Sequence, residues 1–448
     1  MFLILILSFL FLKLDYSNRK REKELKTPRL PFWTKEHLRA MFSWKIIKKV
    51  AFTLGVLTIY KFGSLVSLPD VNASVLVSEN NPLAELMSLA GGGFLDQFSI
   101  FSLGITPFIS AQIVVQMLSM DVMPYFSEQR KLGKSGRNVL AGWTMLFAVI
   151  LSLIQGYGIS QSFASAYPGL YEGNFNLSAG LYSAVLMTAG MVIAVWLGNQ
   201  ITKHGIGNGI TLLISVSILS RFPSLFETSL NSVKESQEMV VYFILFFLCA
   251  AVFSVIFSLA EYRIPILYSS GTPGFERSYL PLKVNSAGVM PVIFASSLIM
   301  IPLQIVNLFF AENTGLKESI EMWCGLQSIP SVILYIVLLI LLSFAFAFIQ
   351  INPEELAKNL DTSGAWIPDI RPGKETEKKL KKVLFYLTIF GSVSLTLTAI
   401  LPYLLSLFET SIPSQNPIGG TGMIILVGAT VETFRQYRNL IIEEGLNV

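Results

Sequence analysis

The sequence predicts an all-α polytopic membrane protein: ten transmembrane helices in two pseudo-symmetric inverted halves of five, with a short re-entrant half-helix. Three observations lead there. Of 448 residues, 52% are hydrophobic and only 14% charged, whereas a soluble domain carries about 25% charged residues. Apolar runs recur along the chain, each near the roughly 20 residues that cross a hydrocarbon core, and the mean hydropathy is +0.60. The basic residues, finally, gather on alternate loops.

The runs fall at 47–67, 104–122, 138–160, 178–198, 207–225, 238–259, 287–311, 328–350, 382–407 and 418–435. With the N terminus in the cytoplasm, 29 of the 33 Lys and Arg residues lie in cytoplasmic segments. Lys61 sits in the first span, and Arg221, Lys234 and Lys317 lie opposite. This is the positive-inside distribution, and one missed span would scramble it. The net charge of +4 therefore belongs to loops that face anionic lipid, and no direct DNA binding is expected. The chain divides into a cytoplasmic segment 1–46, a first half 47–236, a second half 237–437 with cytoplasmic loops 261–286 and 352–381, and a short tail 438–448. An odd number of spans per half inverts the second relative to the first, an arrangement that often places a pathway between halves.

A weaker apolar stretch, 83–103, is interrupted by Gly91, Gly92, Gly93 and Asp96. It reads as a half-helix that does not cross; close helix packing at the glycines is the other reading. Residues 1–12 are apolar but too short to span. No basic residue precedes them and no small-residue cleavage site follows, so a cleaved signal peptide is not expected. A surface-lying or packing segment, or an inaccurate start codon, accounts for them equally.

Chemistry is sparse. Cys249 and Cys324 sit in or beside different apolar runs, and no disulfide between them is expected. His37 and His204 are too few for a metal site, and no cofactor is expected. Gly133-Lys134-Ser135 resembles the end of a phosphate-binding loop, but Glu128 stands where the first glycine belongs. Gly205-Ile206-Gly207-Asn208-Gly209 lacks dinucleotide-fingerprint spacing and opens a membrane helix. No Ser-His-Asp, Cys-His or paired-carboxylate constellation lies within the spans. The chain is not expected to be an enzyme, and any driving energy must come from another chain.

Five segments carry a family resemblance. The second span reads Leu103-Gly104-Ile105-Thr106-Pro107-Phe108-Ile109-Ser110-Ala111-Gln112, and Gln200 to Ile210 read QITKHGIGNGI. The seventh span is announced by Pro281-Leu282-Lys283-Val284-Asn285 and continues from Ala287 to Ser297 as AGVMPVIFASS. Asn352-Pro353-Glu354-Glu355 and Ile367-Pro368-Asp369-Ile370-Arg371-Pro372-Gly373 follow the eighth span, and Gly419-Gly420-Thr421 opens the tenth. In this order and spacing they resemble the SecY family, channel subunits of the Sec protein translocase, and together they cover most of the chain.

The resemblance implies an hourglass channel that moves unfolded secretory polypeptides across the membrane and releases membrane segments sideways into lipid. It implies a waist of six aliphatic side chains at Ile105, Ile109, Ile210, Ile214, Ile293 and Ile425; taken singly, each isoleucine is equally a packing residue. The pairs Ile105/Ile109 and Ile210/Ile214 are four apart, so each pair shares a helix face. The resemblance makes the 83–99 half-helix a plug, marked by Gly91, Gly92, Gly93 and Asp96. It makes Ser110, Gln112, Gln116, Asn208, Ser296, Ser297 and Thr421 part of a lateral gate, with weak polar contacts across its seam; ordinary interhelix hydrogen bonding is the alternative. Arg371, and Arg263 in the preceding loop, become contacts for a motor ATPase or ribosome.

Implied partners are SecE-like and SecG-like small membrane subunits, a SecA-like motor or the ribosome, signal-sequence-bearing polypeptides and lipid. The implied location is the plasma (inner) membrane, in preference to a plastid thylakoid. The chain departs from the family at Asp369, where glycine is usual, and at Gly422, where serine is usual. Its 261–286 loop holds only Arg263, Arg277 and Lys283 as basic residues, which keeps a specialised accessory translocase open. The competing class is an ion-coupled small-molecule transporter, which needs charged or convergent polar groups at the bilayer midplane. A membrane scaffold without a conduit would need neither the glycine-rich plug nor the aliphatic ring.

Overall fold

The computed structural model describes residues 43–72, 98–119, 123–167, 169–171, 175–232, 237–268, 278–309, 314–324, 328–368, 370–408 and 421–446. Residues 1–12, His37, the plug residues Gly91, Gly92, Gly93 and Asp96, and Asp369 lie outside these. The described chain is mostly helical. Its helices are α1 (Trp44–Gly63), α2 (Thr106–Met117), α3 (Pro124–Lys131), α4 (Lys134–Ala166), α5 (Leu177–His204), α6 (Gly209–Ser232), α7 (Gln237–Leu259), α8 (Met290–Phe309), α9 (Thr314–Cys324), α10 (Ile329–Gln350), α11 (Pro353–Thr362), α12 (Lys374–Phe408) and α13 (Thr421–Leu446). Every apolar run read from the sequence falls on one of them. Among the described residues, four helical stretches are long and apolar enough to cross a membrane: Ser135–Ser165, Leu177–His204, Ile329–Thr362 and Lys374–Ile400.

Helix α10 shows why lipid is the solvent. Its buried face carries Ser331, Tyr335, Leu339, Ser343, Phe346 and Ala347, while Ile333, Val337 and Leu341 point outward and are exposed. The four-residue steps put each set on one face. The polar groups lie inside and the aliphatic ones outside, the reverse of a helix facing water. Helix α12 repeats this, with Thr388, Ser392 and Thr398 buried and Phe390, Val393 and Leu397 exposed. Several inward hydroxyls bond to the carbonyl one turn back, Ser343 to Leu339 at 2.7 Å and Thr388 to Leu384 at 2.7 Å, as a medium without water requires.

The second span is shorter than expected. Its helix begins at Thr106, with Pro107 in its first turn, where a missing N–H costs nothing. Residues 98–105 approach as successive turns, with Ser102 N–H bonded to Ser99 O at 2.9 Å and Gly104 N–H to Phe101 O at 2.8 Å. Gly104 takes φ +52, a left-handed conformation natural to glycine. Of the half-helix expected at 83–99, the described residues Phe98 and Ser99 are not helical: Phe98 has φ +42 and Ser99 pairs with Ser67 in an isolated antiparallel bridge.

A small sheet also corrects the all-α expectation. Strands β1 (Glu261–Tyr268), β2 (Ser278–Lys283) and β3 (Ala365–Trp366) pair antiparallel in the order β2-β1-β3. The alternation in β1, with Ile264 and Ile266 buried and Arg263 and Pro265 exposed, is the period-two signature of a half-buried strand. Ile264, Ile266 and Leu282 pack with Ala357 and Leu360 of α11, Ile367, and Leu380 and Leu387 of α12. The two segments expected to be separate loops, 261–286 and 352–381, thus share one hydrophobic core. The segment expected to be loop at 374–381 is the first two turns of α12. Asn352 caps α11 by accepting from Glu354 N–H at 3.1 Å, and Glu354 and Glu355 sit in the first turn, where the helix dipole favours them.

The two halves meet through α6 against α13 and through α8 against α2 and α4. One apolar cluster runs through that junction, built from both halves.

Candidate functional site: an isoleucine cluster beneath a polar cavity

The glycine-rich segment 205–209 is a crossing point. Ile206 N–H bonds to Thr53 Oγ1 of α1 at 3.0 Å, Gly207 N–H to Gln436 Oε1 of α13 at 2.9 Å, and Gly209 N–H to Thr202 Oγ1 of α5 at 2.9 Å. Gly207 has φ +93, and a Cβ on Gly209 would stand 1.9 Å from the Gly198 carbonyl oxygen. Glycine is required at both positions by geometry. Asn208 accepts from Thr211 N–H at 3.4 Å, so its amide sits at the N terminus of α6, a position that favours asparagine.

From this anchor α6 runs inward with Ile210 and Ile214 on one face. All six isoleucines expected at the waist fall in the single apolar cluster that joins the halves. Ile105, Ile109, Ile214, Ile293 and Ile425 are buried, and Ile210 is partly buried against them. Tyr60, Phe101, Phe294 and Phe346 surround them.

Above it lies a cavity of about 580 Å³ lined by Asn208, Thr211, Asn285, Gln350, Gln436 and Ile293, among others. Its rim carries charge: Lys283 Nζ lies 3.7 Å from Glu432 Oε2, and Arg435 Nη2 lies 3.2 Å from Glu261 Oε1. Burial first, and then the Arg435 guanidinium, push the Lys283 ammonium below its ordinary range, with Glu432 and Glu261 acting the other way. The cavity is thus lined by polar side chains and meets the apolar cluster at Ile293. These charged residues and Gln436 escaped sequence reasoning; the charges Glu432 and Arg435 at the end of an apolar run were the available signal.

The expected gate residues divide. Helices α2 and α8 touch; Ser110 is buried on the first, with Ser296 and Ser297 buried on the second. Ser296 Oγ, however, donates to Val292 O at 3.0 Å and Ile293 O at 2.9 Å, and Ser297 Oγ to Ile293 O at 2.8 Å. These hydroxyls satisfy themselves within α8, so they do not supply the polar contacts expected across the seam. Asn208 likewise serves the start of α6. Gln112 and Gln116 are half-buried, one turn apart on α2. Thr421 is the first residue of α13.

Arg371 is exposed, and its main chain is held at both ends: its N–H donates to Glu375 Oε2 at 3.4 Å, and its carbonyl accepts from Thr376 Oγ1 at 3.0 Å. Arg263 is also exposed and lies over the Tyr279 ring, 4.9 Å from its centroid, a cation–π contact across the hairpin. Gly422, where the family usually has serine, packs so that a Cβ would stand 3.2 Å from Ile218 Cγ2 of α6. The glycine thus brings α13 closer to α6.

Comparison with known proteins agrees. The SecY family model matches residues 99–434. A protein translocase subunit SecY of Staphylococcus epidermidis is 38% identical over 407 residues, covering 87% of this chain and 93% of its own. That of Bacillus subtilis is 36% identical over 416 residues, covering 89% and 95%. Among solved structures, one described as the structure of a protein conducting channel superposes with a TM-score of 0.65 at 18% identity, covering 94% of this chain and 96% of that one. Sec61 in a canine ribosome–channel complex from the endoplasmic reticulum superposes with 0.62 at 17% identity, covering 94% and 96%. By sequence over most of its length, and by fold, this chain belongs to the SecY family.

Proposed function

We propose that the chain is the protein-conducting channel of a Sec translocase, a conduit for unfolded polypeptides that carries out no chemistry of its own. The observation that carries this is the single buried isoleucine cluster, drawn from both halves and lying beneath a polar cavity. An aliphatic constriction sheds water and so resists ions without a polar seal. It offers a passing peptide no hydrogen bond to hold it and reads no side-chain identity. The chamber above stays wet, which spares an extended backbone the several kcal/mol per unsatisfied group of a dry path.

In this reading ten helices cross the membrane in inverted halves, 47–236 and 237–437, with the N terminus cytoplasmic. The segment 83–99 is the plug, and Gly91, Gly92 and Gly93 lower its helix stability. Helices α2 and α8 part as the lateral gate, along whose seam lie Ser110, Gln112, Gln116, Ser296 and Ser297, with Asn208 and Thr421 at its edges. Arg371 and Arg263 stand on the cytoplasmic face toward a SecA-like motor or a ribosome; relatives of this fold include one in a ribosome–channel complex. SecE-like and SecG-like subunits complete the assembly in the plasma membrane. An ion-coupled transporter is not favoured, because the relatives over most of this chain are protein translocase subunits and its fold is that of a protein conducting channel.

Site-specific photocrosslinking tests the reading. A photoreactive residue at Ile293 should capture a secretory chain stalled in transit, and the adduct should vanish when the signal sequence is deleted. A folded channel with motor and small subunits present, yet no adduct, would overturn it.

A further inference from the structure

Three charges on the rim of the cavity, Lys283, Glu432 and Arg435, form a closed set with Glu261. Glu261 and Lys283 are register partners at the base of the β1–β2 hairpin. Glu432 and Arg435 lie three residues apart on α13, hence on one face. The pairs run between the elements, Glu261 to Arg435 at 3.2 Å and Lys283 to Glu432 at 3.7 Å. Arg435 also donates to Ser258 O in the last turn of α7 at 3.2 Å, so its guanidinium is fixed from two directions. The side chains of Arg435 and Glu261 are only 14% and 27% exposed, which shields their attraction from solvent and salt.

We propose that these residues clamp the hairpin to α13 and make α13 a lever that passes load from the cytoplasmic hairpin to Ile425; the proposal rests on the channel reading above. Helix α13 is continuous from Thr421 to Leu446. Between the clamp and Ile425 stands Gly428, where a Cβ would fall 1.9 Å from Val289 Cγ2 at the entrance to α8. That contact is the fulcrum. At 1.5 Å rise per residue the arms measure about 10 Å to Arg435 and about 4.5 Å to Ile425. The hairpin is a stiff input arm, because Ile264, Ile266 and Leu282 seat it on α11 and α12. Next to the clamp, Gln436 accepts from Gly207 N–H, so displacing this end of α13 also pulls on the segment that leads to Ile210. Load arriving at the hairpin thus reaches two walls of the constriction.

The full chain reconstituted with its small subunits tests this with E261R, R435E and the swapped double variant. Each single reversal should raise the frequency of ion-conducting openings in planar bilayers by about threefold to tenfold, and the swap should return it to within about twofold. Unchanged openings in the single variants, or a swap that fails to restore them, would overturn the lever. K283E, at the more exposed pair, repeats the test if R435E fails to fold, with a smaller increase expected. Amide exchange reports the clamp without reference to conduction: faster exchange in both β1 and residues 430–438 in the single variants, reversed by the swap, supports it. Exchange confined to one element, or unchanged in both, counts against it. If neither the wild-type chain nor Ile425→Asn nor any clamp variant conducts while exchange still follows this pattern, the channel reading fails and the clamp stands.

Discussion

At the residue scale, Ile425 is the sharpest test of the constriction. It is 2% exposed, and α13 contributes it to an apolar cluster, the proposed waist, built mainly by other helices. In Ile425→Asn an amide would be buried without a partner at a cost of about 2 kcal/mol. That shifts the balance toward a wetted constriction by roughly thirtyfold. Ion leak through the resting channel, measured in planar bilayers, should rise accordingly, and unchanged leak would remove Ile425 from the waist. The same scale shows where sequence reading of polar residues fell short. Ser296 and Ser297 were legible as intramembrane hydroxyls, but the rotamers that turn them back onto Ile293 O were not. A hydroxyl four residues from a carbonyl on its own helix has a local partner available, and the choice between local and cross-helix bonding depends on how closely the neighbour approaches.

At the element scale, the hairpin and α11 share one core outside the apolar runs and form one module. Ile266 sits in their shared core, outside the spans, where packing losses follow those of water-soluble proteins. Ile266→Ala should cost about 2–4 kcal/mol of local stability. It should speed amide exchange across β1 and β2 while leaving α4 and α5 protected. Protection lost throughout the molecule would mean that the module is not a separate unit. The sequence made the long helices legible because each carries an apolar run of nearly unambiguous length. The hairpin was missed because Pro265 and Pro281 interrupt β1 and β2, and the third strand because β3 is only two residues long and lies about a hundred positions downstream. Pairing across such a separation leaves little local trace. Helix α2 was overextended for a related reason: residues 104 and 105 are apolar, but Gly104 takes a left-handed turn that apolarity does not report.

At the scale of the whole molecule, the proposed gate requires the two halves to separate along one face and stay joined along another. Contacts between α6 and α13, reinforced by the Gly207–Gln436 hydrogen bond, tie the halves on one side. On the other side, Ser296 and Ser297 of α8, at the proposed gate, donate to carbonyls of their own helix, so the seam between α2 and α8 depends more on packing. A packed seam opens for a modest gain, because hydrogen bonds across membrane helices are themselves worth only about 0.6–2 kcal/mol. A disulfide engineered between α2 and α8 should therefore arrest release of membrane anchors into lipid, and reduction should restore it. Release that continues through the oxidised seam would place the gate elsewhere.

The sequence alone determined the solvent and the family. Lipid excludes unpaired backbone and charge so strongly that apolar run length and Lys/Arg placement report the crossings directly. The glycine motif at 205–209 and the isoleucines were likewise visible as residues. Only the tertiary structure decided what they meet: that six isoleucines from both halves share one cluster, that Gly207 bonds to the last helix, and that two distant cytoplasmic segments fold around a common core. These are contacts between residues as far as 229 positions apart. Such contacts are set by the packing of whole helices, and a local stretch of sequence carries no physical record of which helix will lie beside it.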